Sequence, residues 1–293
     1  MLWILMTAAA APLQVARNAL QRGLVGDAGP WGATLVRFLF GLPFSLLIFL
    51  VVALATPGAA AHLSPRYAAA VSLGALAQVA ATAALLVAMR RSGFAVATVM
   101  QQSSLPLSAI FGWLFLGDVL HARAVIGIAT ATLGLAILSW PKPDQLRGAG
   151  LGSVLGLVSG AMFAIALNAF RQAGLALEPH HPIYSAIASV CAAQTIQTAV
   201  LLSALAIWRP AALLAVAQSW RASLGAGFFG AAASACWFGA LALSPAGPVR
   251  AIGVIEAPIA AATGRRLLKE KLSPRQLAGG IIAGLGVVAT ALG

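Results

Sequence analysis

One of the six acidic residues in this chain stands in the middle of an apolar run, Gly253-Val254-Ile255-Glu256-Ala257-Pro258. A carboxylate at membrane depth costs about 2.5–3.5 kcal/mol on insertion scales, so such an acid marks a transport pathway, a proton relay or an ion pair. Pro258 removes a backbone hydrogen bond two residues further on and can kink the helix beside the acid. Pro106 is its counterpart upstream, and both prolines read as hinges. Arg37, inside another apolar run, and Arg17 are the cations placed to meet Glu256, Arg37 first. The competing readings are a structural ion pair for Arg37 and a snorkelling interfacial side chain for Arg17. Arg250, at the start of the Glu256 run, reads as interfacial.

Amides recur at helical spacing. Gln14 and Asn18 flank Arg17, Gln101-Gln102-Ser103-Ser104 form a polar stretch, and Asn168 and Gln172 share a helix face, as do Gln194 and Gln197. In lipid each must find a partner. Either they hydrogen-bond between helices, or they converge on one cavity. The candidate substrate-binding or coupling set is therefore Glu256, Arg37, Arg17, Gln14, Gln101, Gln102, Gln194, Gln197, Asn168, Trp237 and Tyr184. In that set Trp237 and Tyr184, with Phe238, offer a stacking wall or plain packing. Asp118 and Glu270, flanked by Arg123, Lys269 and Lys271, read as solvated loop pairs. His180-His181 reads as a solvated loop pair too, and Cys191 and Cys236 as buried small hydrophobes. No CxxC, HExxH, P-loop or GxSxG spacing occurs. No catalytic residue, metal or cofactor is expected, and the chain does not read as an enzyme.

What must position these residues is a set of membrane helices. The chain is 61% hydrophobic and 8% charged with mean hydropathy +0.95, whereas soluble domains carry about 25% charged residues. The net charge of +12 comes from Lys and Arg at the ends of apolar runs, not from a basic stripe with interleaved aromatics, so no nucleic-acid partner is expected. Ten apolar segments can be marked, at about 2–21, 31–55, 67–89, 95–116, 121–140, 149–173, 183–207, 221–243, 247–268 and 275–292. Turn residues and charges divide them, among them Arg90-Arg91-Ser92-Gly93 and Pro141-Lys142-Pro143-Asp144. Runs this long and continuous are helices, since isolated strands cannot satisfy their backbone in lipid.

The second half repeats the first. Leu105-Pro106-Leu107, Gly112, Asp118, Leu120, Gly127 and Gly134 recur 152 residues later as Ala257-Pro258-Ile259, Gly264, Glu270, Leu272, Gly279 and Gly286. The expected fold is an all-α integral membrane protein of ten transmembrane helices in two five-helix repeats, about 1–140 and 149–293, forming one domain. Five is odd, so the second copy enters the membrane from the opposite side and the repeats are inverted. Thirteen Lys and Arg fall in the odd-numbered loops against Arg66, Arg123, Arg171 and Arg250 in the even ones, which places the odd loops in the cytoplasm and both termini outside. Gly148, Gly152, Gly156 and Gly160, and likewise Gly280 and Gly284, are spaced for close helix packing within the chain or between two chains.

The pattern Pro-x5-Gly-x5-(Asp/Glu)-x-Leu followed by two glycines, ending both halves, resembles the repeat of the EamA family in the drug/metabolite transporter superfamily. The resemblance covers essentially the whole chain, and Arg37-Phe38 matches the family's arginine there, although the second-half position is Ser189. It implies a secondary transporter that exports small metabolites, such as amino acids, by rocking of helices around a central cavity. Partners would be a small-molecule substrate, protons as candidate coupling ion, and the bilayer of the inner (plasma) membrane, with the protein a monomer or homodimer. The resemblance also implies termini in the cytoplasm, against the charge count. Related small multidrug exporters carry an acid in their first helix where this chain has only Gln14. A structural or assembly membrane protein without transport activity is the alternative.

Overall fold

The computed structural model describes residues 1–140, 150–256, 259 and 274–292, and every regular element among them is helical. Helix α1 spans Leu2–Leu39, α2 Leu42–Ala55, α3 Pro65–Gln101 and α4 Ser104–Phe111, which runs into a π turn at Gly112–Leu116. Then come α5 (Ala122–Ser139), α6 (Gly150–Leu177), α7 (Pro182–Trp208), α8 (Pro210–Gln218), α9 (Trp220–Leu243), α10 (Ala246–Ile252, continued by a 3-10 turn at Gly253–Ile255) and α11 (Pro274–Ala291). Among the described residues five stretches are long and apolar enough to cross a bilayer: Trp31–Ala55, Pro65–Ser92, Gly150–Leu177, Pro182–Trp208 and Trp220–Leu243. Shorter apolar helices cover Ser104–Leu116, Ala122–Leu138, Ala246–Ile255 and Leu277–Ala291. Pro258, Glu270, Gly148, Lys142 and Asp144 lie outside the described residues.

Several boundaries differ from expectation. Helix α3 continues through Arg90-Arg91-Ser92-Gly93 and stops at Gln102-Ser103. Arginine is a good helix former, so a basic pair marks an interface and not a helix end. The break comes four residues before Pro106, whose ring cannot donate to the carbonyl of Gln102. The Leu105 N–H takes that carbonyl at 3.0 Å. The repeat-equivalent residues of 101–103 are 253–255, where α10 tightens into its 3-10 turn. Both copies thus interrupt the helix at the same place. In α1 the direction changes at Gly29, whose φ of 67° lies in the left-handed region open to glycine.

The chain divides into two compact units, each drawn from both halves of the sequence: Met1–Leu76 with Ala169–Leu243, and Ala77–Asn168 with Ser244–Gly293. In the first, α1 lies along α9, and α7 packs on α2 and α9. Large apolar side chains remain exposed along α2 (Leu47, Leu50, Val51 and Leu54), a surface that water disfavours and lipid accepts.

In the second unit α5 lies along α11, and the repeat glycines make the contact. A Cβ on Gly134 would stand 2.8 Å from the Gly279 carbonyl, and one on Gly279 2.8 Å from the Gly134 carbonyl. Gly127 and Gly286 face each other in the same reciprocal way at 2.8 and 2.7 Å. Since 127 meets 286 while 134 meets 279, the two helices run antiparallel. Gly280 and Gly284, expected to serve this purpose, have nothing within 4 Å of such a Cβ. They lie off the face of α11 that meets α5. On α6, Gly152, Gly156 and Gly160 do pack closely, against Ser92, Met100 and the Gln101 carbonyl. Around the seam a core forms from Leu105, Ile128, Leu135, Val254 and Ala283.

Candidate functional site

The expected site residues fall into two groups, one per unit. In the first unit Gln14 and Arg17 lie one turn apart on α1, and Gly230 and Trp237 two turns apart on α9, the helix that α1 follows. Trp237 Nε1 donates to Gln14 Oε1 at 3.0 Å. A Cβ on Gly230 would come within 3.3 Å of Arg17 Cδ and 3.5 Å of Arg37 Cγ. That glycine therefore leaves room for both arginine stems. Arg17 is 6% exposed, so it is no snorkelling side chain, and its guanidinium bonds the Asn18 carboxamide oxygen at 2.7 Å. The Arg37 guanidinium stands 5.0 Å from the Phe38 ring centroid. Arg17, Arg171 and Arg250, counted among loop charges in the sequence, all sit within helices.

Other polar residues of this unit fasten helices together. Ser45 Oγ donates to Gln194 Oε1 at 2.8 Å, and Gln197 Nε2 to the Ala75 carbonyl at 3.4 Å. Both glutamines are fully enclosed. Tyr184 stacks on Phe49 with centroids 5.4 Å apart, and Phe238 on Phe170 at 4.2 Å, while Trp237 is engaged with Gln14. The aromatic residues therefore form separate contacts and no single wall.

In the second unit the matched helix breaks carry the charge. The Arg250 guanidinium donates to Gln102 Oε1 at 3.0 Å and to Ser104 Oγ at 3.4 Å, and it lies within electrostatic reach of Glu256. Ser104 is the repeat counterpart of Glu256, so one arginine serves both copies of that position. Arg250 is half-buried and bonded inside the unit, which replaces the interfacial reading. Its signal in the sequence was its position six residues before Glu256 in one apolar run. Gln101 meets Gly160 through its backbone carbonyl. Pro106 lines a cavity of about 460 Å³.

Asp118 also departs from expectation. It is 9% exposed and lines the same cavity, while Arg123 is exposed. Gly117, with φ 69°, ends the π turn and folds the chain back, so that the Asp118 N–H donates to the Gly112 carbonyl at 3.1 Å. Asn168 Nδ2 donates to the Ser108 carbonyl at 3.0 Å and the Ala164 carbonyl at 2.9 Å. Among the described residues no group of three or more His, Cys, Asp and Glu side chains is placed to hold a metal ion.

Residues 1–140 match the model of the EamA-like transporter family. No curated protein matches the chain at a significant level. A solved crystal structure, described only as that of a protein, is 14% identical, covers 99% of this chain and 97% of its own, and superposes with a TM-score of 0.71. Identity that low shows a shared fold and nothing of function. The helices and the family match together make this a multi-pass membrane protein.

Proposed function

We propose, from the premise that residues 1–140 are a unit of the EamA-like transporter family, that the chain is a secondary transporter exporting small metabolites, amino acids or related compounds, by alternating access. The observation that carries this reading is the pair of helix interruptions at 101–103 and 253–255 with Arg250 bonded across them. Interrupted apolar helices at corresponding positions of two halves mark the binding site in repeat-built transporters. Ten transmembrane helices in two inverted repeats, about 1–140 and 149–293, form one domain, and the antiparallel α5–α11 seam supports that arrangement. Pro106 and Pro258 act as hinges. Arg17 and Arg37 offer guanidinium groups to a substrate carboxylate, beside Gln14 and Trp237. Glu256 is the proton-coupling acid, with Arg250 as its electrostatic partner. No nucleotide-binding motif is present in the sequence, so a gradient drives transport. The protein resides in the inner (plasma) membrane, and the charge distribution favours termini outside.

A structural or assembly role is the second reading, favoured by Gln194 and Gln197, whose bonds join helices and reach no open space. Counterflow in proteoliposomes with labelled amino acids and organic cations decides between them. Saturable counterflow of one class is expected; none for any class, with monodisperse folded protein, overturns transport. Terminal reporter fusions active only in the cytoplasm would reverse the orientation.

A further inference from the structure

Arg250 fixes which way the Gln102 side chain points. Its guanidinium carries only N–H donors, so the Gln102 atom it meets at 3.0 Å is the oxygen, Oε1. The reverse arrangement would set donor against donor. The amide is planar, so holding its oxygen turns the NH2 group to the far side. Ser104 Oγ takes another guanidinium N–H at 3.4 Å, which braces the arginine. The Gln102 backbone is engaged as well, its carbonyl accepting the Leu105 N–H at 3.0 Å. The NH2 group itself, Nε2, donates to nothing among the described residues. Nor is it one of their enclosed unbonded atoms, and Gln102 is half-buried. This end of the amide therefore opens on accessible space.

Bare N–H groups facing lipid tails are costly, so that space holds water or a polar ligand. Gln102 stands in the interruption between α3 and α4, and repeat-built transporters bind their cargo at such interruptions. The charge against the amide is positive: Arg250 bonds it directly, whereas Glu256 acts on that arginine through space. N–H donors beside a cation suit an anionic oxygen, and bonds to an ionised acceptor are the stronger ones. We infer that Arg250 is a positioning residue, holding the Gln102 amide so that its NH2 group binds the carboxylate of a small-molecule ligand. It is a second carboxylate site, within the second unit, in addition to the one given to Arg17 and Arg37. Taking its ligand to be the transported substrate rests on the transport reading; the binding itself does not.

The test follows the Gln102 side-chain NH2 resonances by NMR in the purified full chain, isotope-labelled at the glutamine side-chain nitrogen, in nanodiscs. Gln102→Met, which lacks the signal, assigns it. The titrants are sodium acetate, propionate and benzoate, against methylamine, propylamine and benzylamine hydrochlorides at equal ionic strength. A saturable downfield shift with at least one carboxylate, and none with its matched amine, is expected. Arg250→Met frees the amide to rotate and should weaken that binding about tenfold, the worth of one bond to an ionised acceptor. Arg250→Lys, whose head group also only donates, should restore most of it. An arginine that merely braces the fold would leave the affinity of folded Arg250→Met unchanged, and that result overturns the proposal. So does a flat titration with all three carboxylates, and so do equal shifts with the amines. The wild-type titration needs no variant, so it decides even if Arg250→Met fails to fold. Counterflow measured alongside separates this site from the transport reading. A flat titration with counterflow intact removes the site alone, and carboxylate shifts without counterflow remove transport alone.

Discussion

Replacing Gly134 with alanine should destabilise the second unit, and the size of the effect follows from the seam. The new Cβ would stand 2.6 Å from Ala283 Cα, whereas ordinary contact begins at 3.4 Å. The shortfall, about 0.8 Å at Cα and larger at the Ala283 backbone nitrogen, falls on backbone, which cannot rotate aside, so α5 and α11 must move apart. Forcing an extra methyl into a packed interface costs about 1–3 kcal/mol. Alanine recovers up to about 1 kcal/mol of helix propensity, which leaves a net loss of about 0–2 kcal/mol. Gly280→Ala and Gly284→Ala give the same propensity gain on the same helix pair with nothing in the way, so they should be neutral or stabilising. At about 2–4 °C per kcal/mol, thermal melting of the purified variants in one detergent should separate the two classes by several degrees. Gly134→Ala with Gly279→Ala should cost less than the two singly, because the helices separate once for both methyls. Equal melting of Gly134→Ala and Gly280→Ala would refute the reasoning.

Glu256→Gln should fold and still exchange substrate while losing proton-driven accumulation; full coupling in a well-folded variant removes Glu256 from the proton path. Arg250→Met should lower the melting temperature by the loss of its bonds to Gln102 and Ser104, about 1.5–3 kcal/mol for hydrogen bonds of a charged group. Arg250→Lys should recover part of it, since a single ammonium cannot span both partners; unchanged melting in both variants refutes the bridging role. In the loop before α7, the His180 N–H donates to the Glu178 carboxylate, the Ala60 N–H adds a second bond, and His181 and His180 stand nearby. The His180 bond first, then that of Ala60 and the two imidazoles, hold its pKa below the ordinary carboxylate range. The stability this gives is present above the unfolded carboxylate value and is lost as pH falls through the lowered folded one. Glu178→Gln should flatten that acid limb of a melting-versus-pH curve, and an unchanged limb counts against the assignment.

The interruptions between α3 and α4 and at the end of α10 could be anticipated because proline removes a definite hydrogen bond, and its effect falls at a definite residue one turn earlier. The seam was partly visible. Gly127 and Gly134, with their copies Gly279 and Gly286, are seven residues apart and so share a face, yet spacing alone does not say which face meets a neighbour. Gly280 and Gly284 are spaced as well and touch nothing. Asp118 looked solvated because charged residues follow it, and its burial comes from a π turn and one left-handed glycine that no periodicity announces. Arg250 was misplaced for a similar reason. Its position at the start of an apolar run suggested an interface, whereas its partners Gln102 and Ser104 lie about 150 residues away in the chain.

Duplicated sequence is usually thought of as insurance, a spare that tolerates loss of the original. The α5–α11 seam works in the opposite sense. Each glycine rests against the copy of the other one, Gly127 on Gly286 and Gly134 on Gly279, so a mutation in either half is felt at once by the other, and neither can drift alone. The two halves are bound to change together at these four positions while remaining free to diverge elsewhere, as serine at 104 and glutamate at 256 have done.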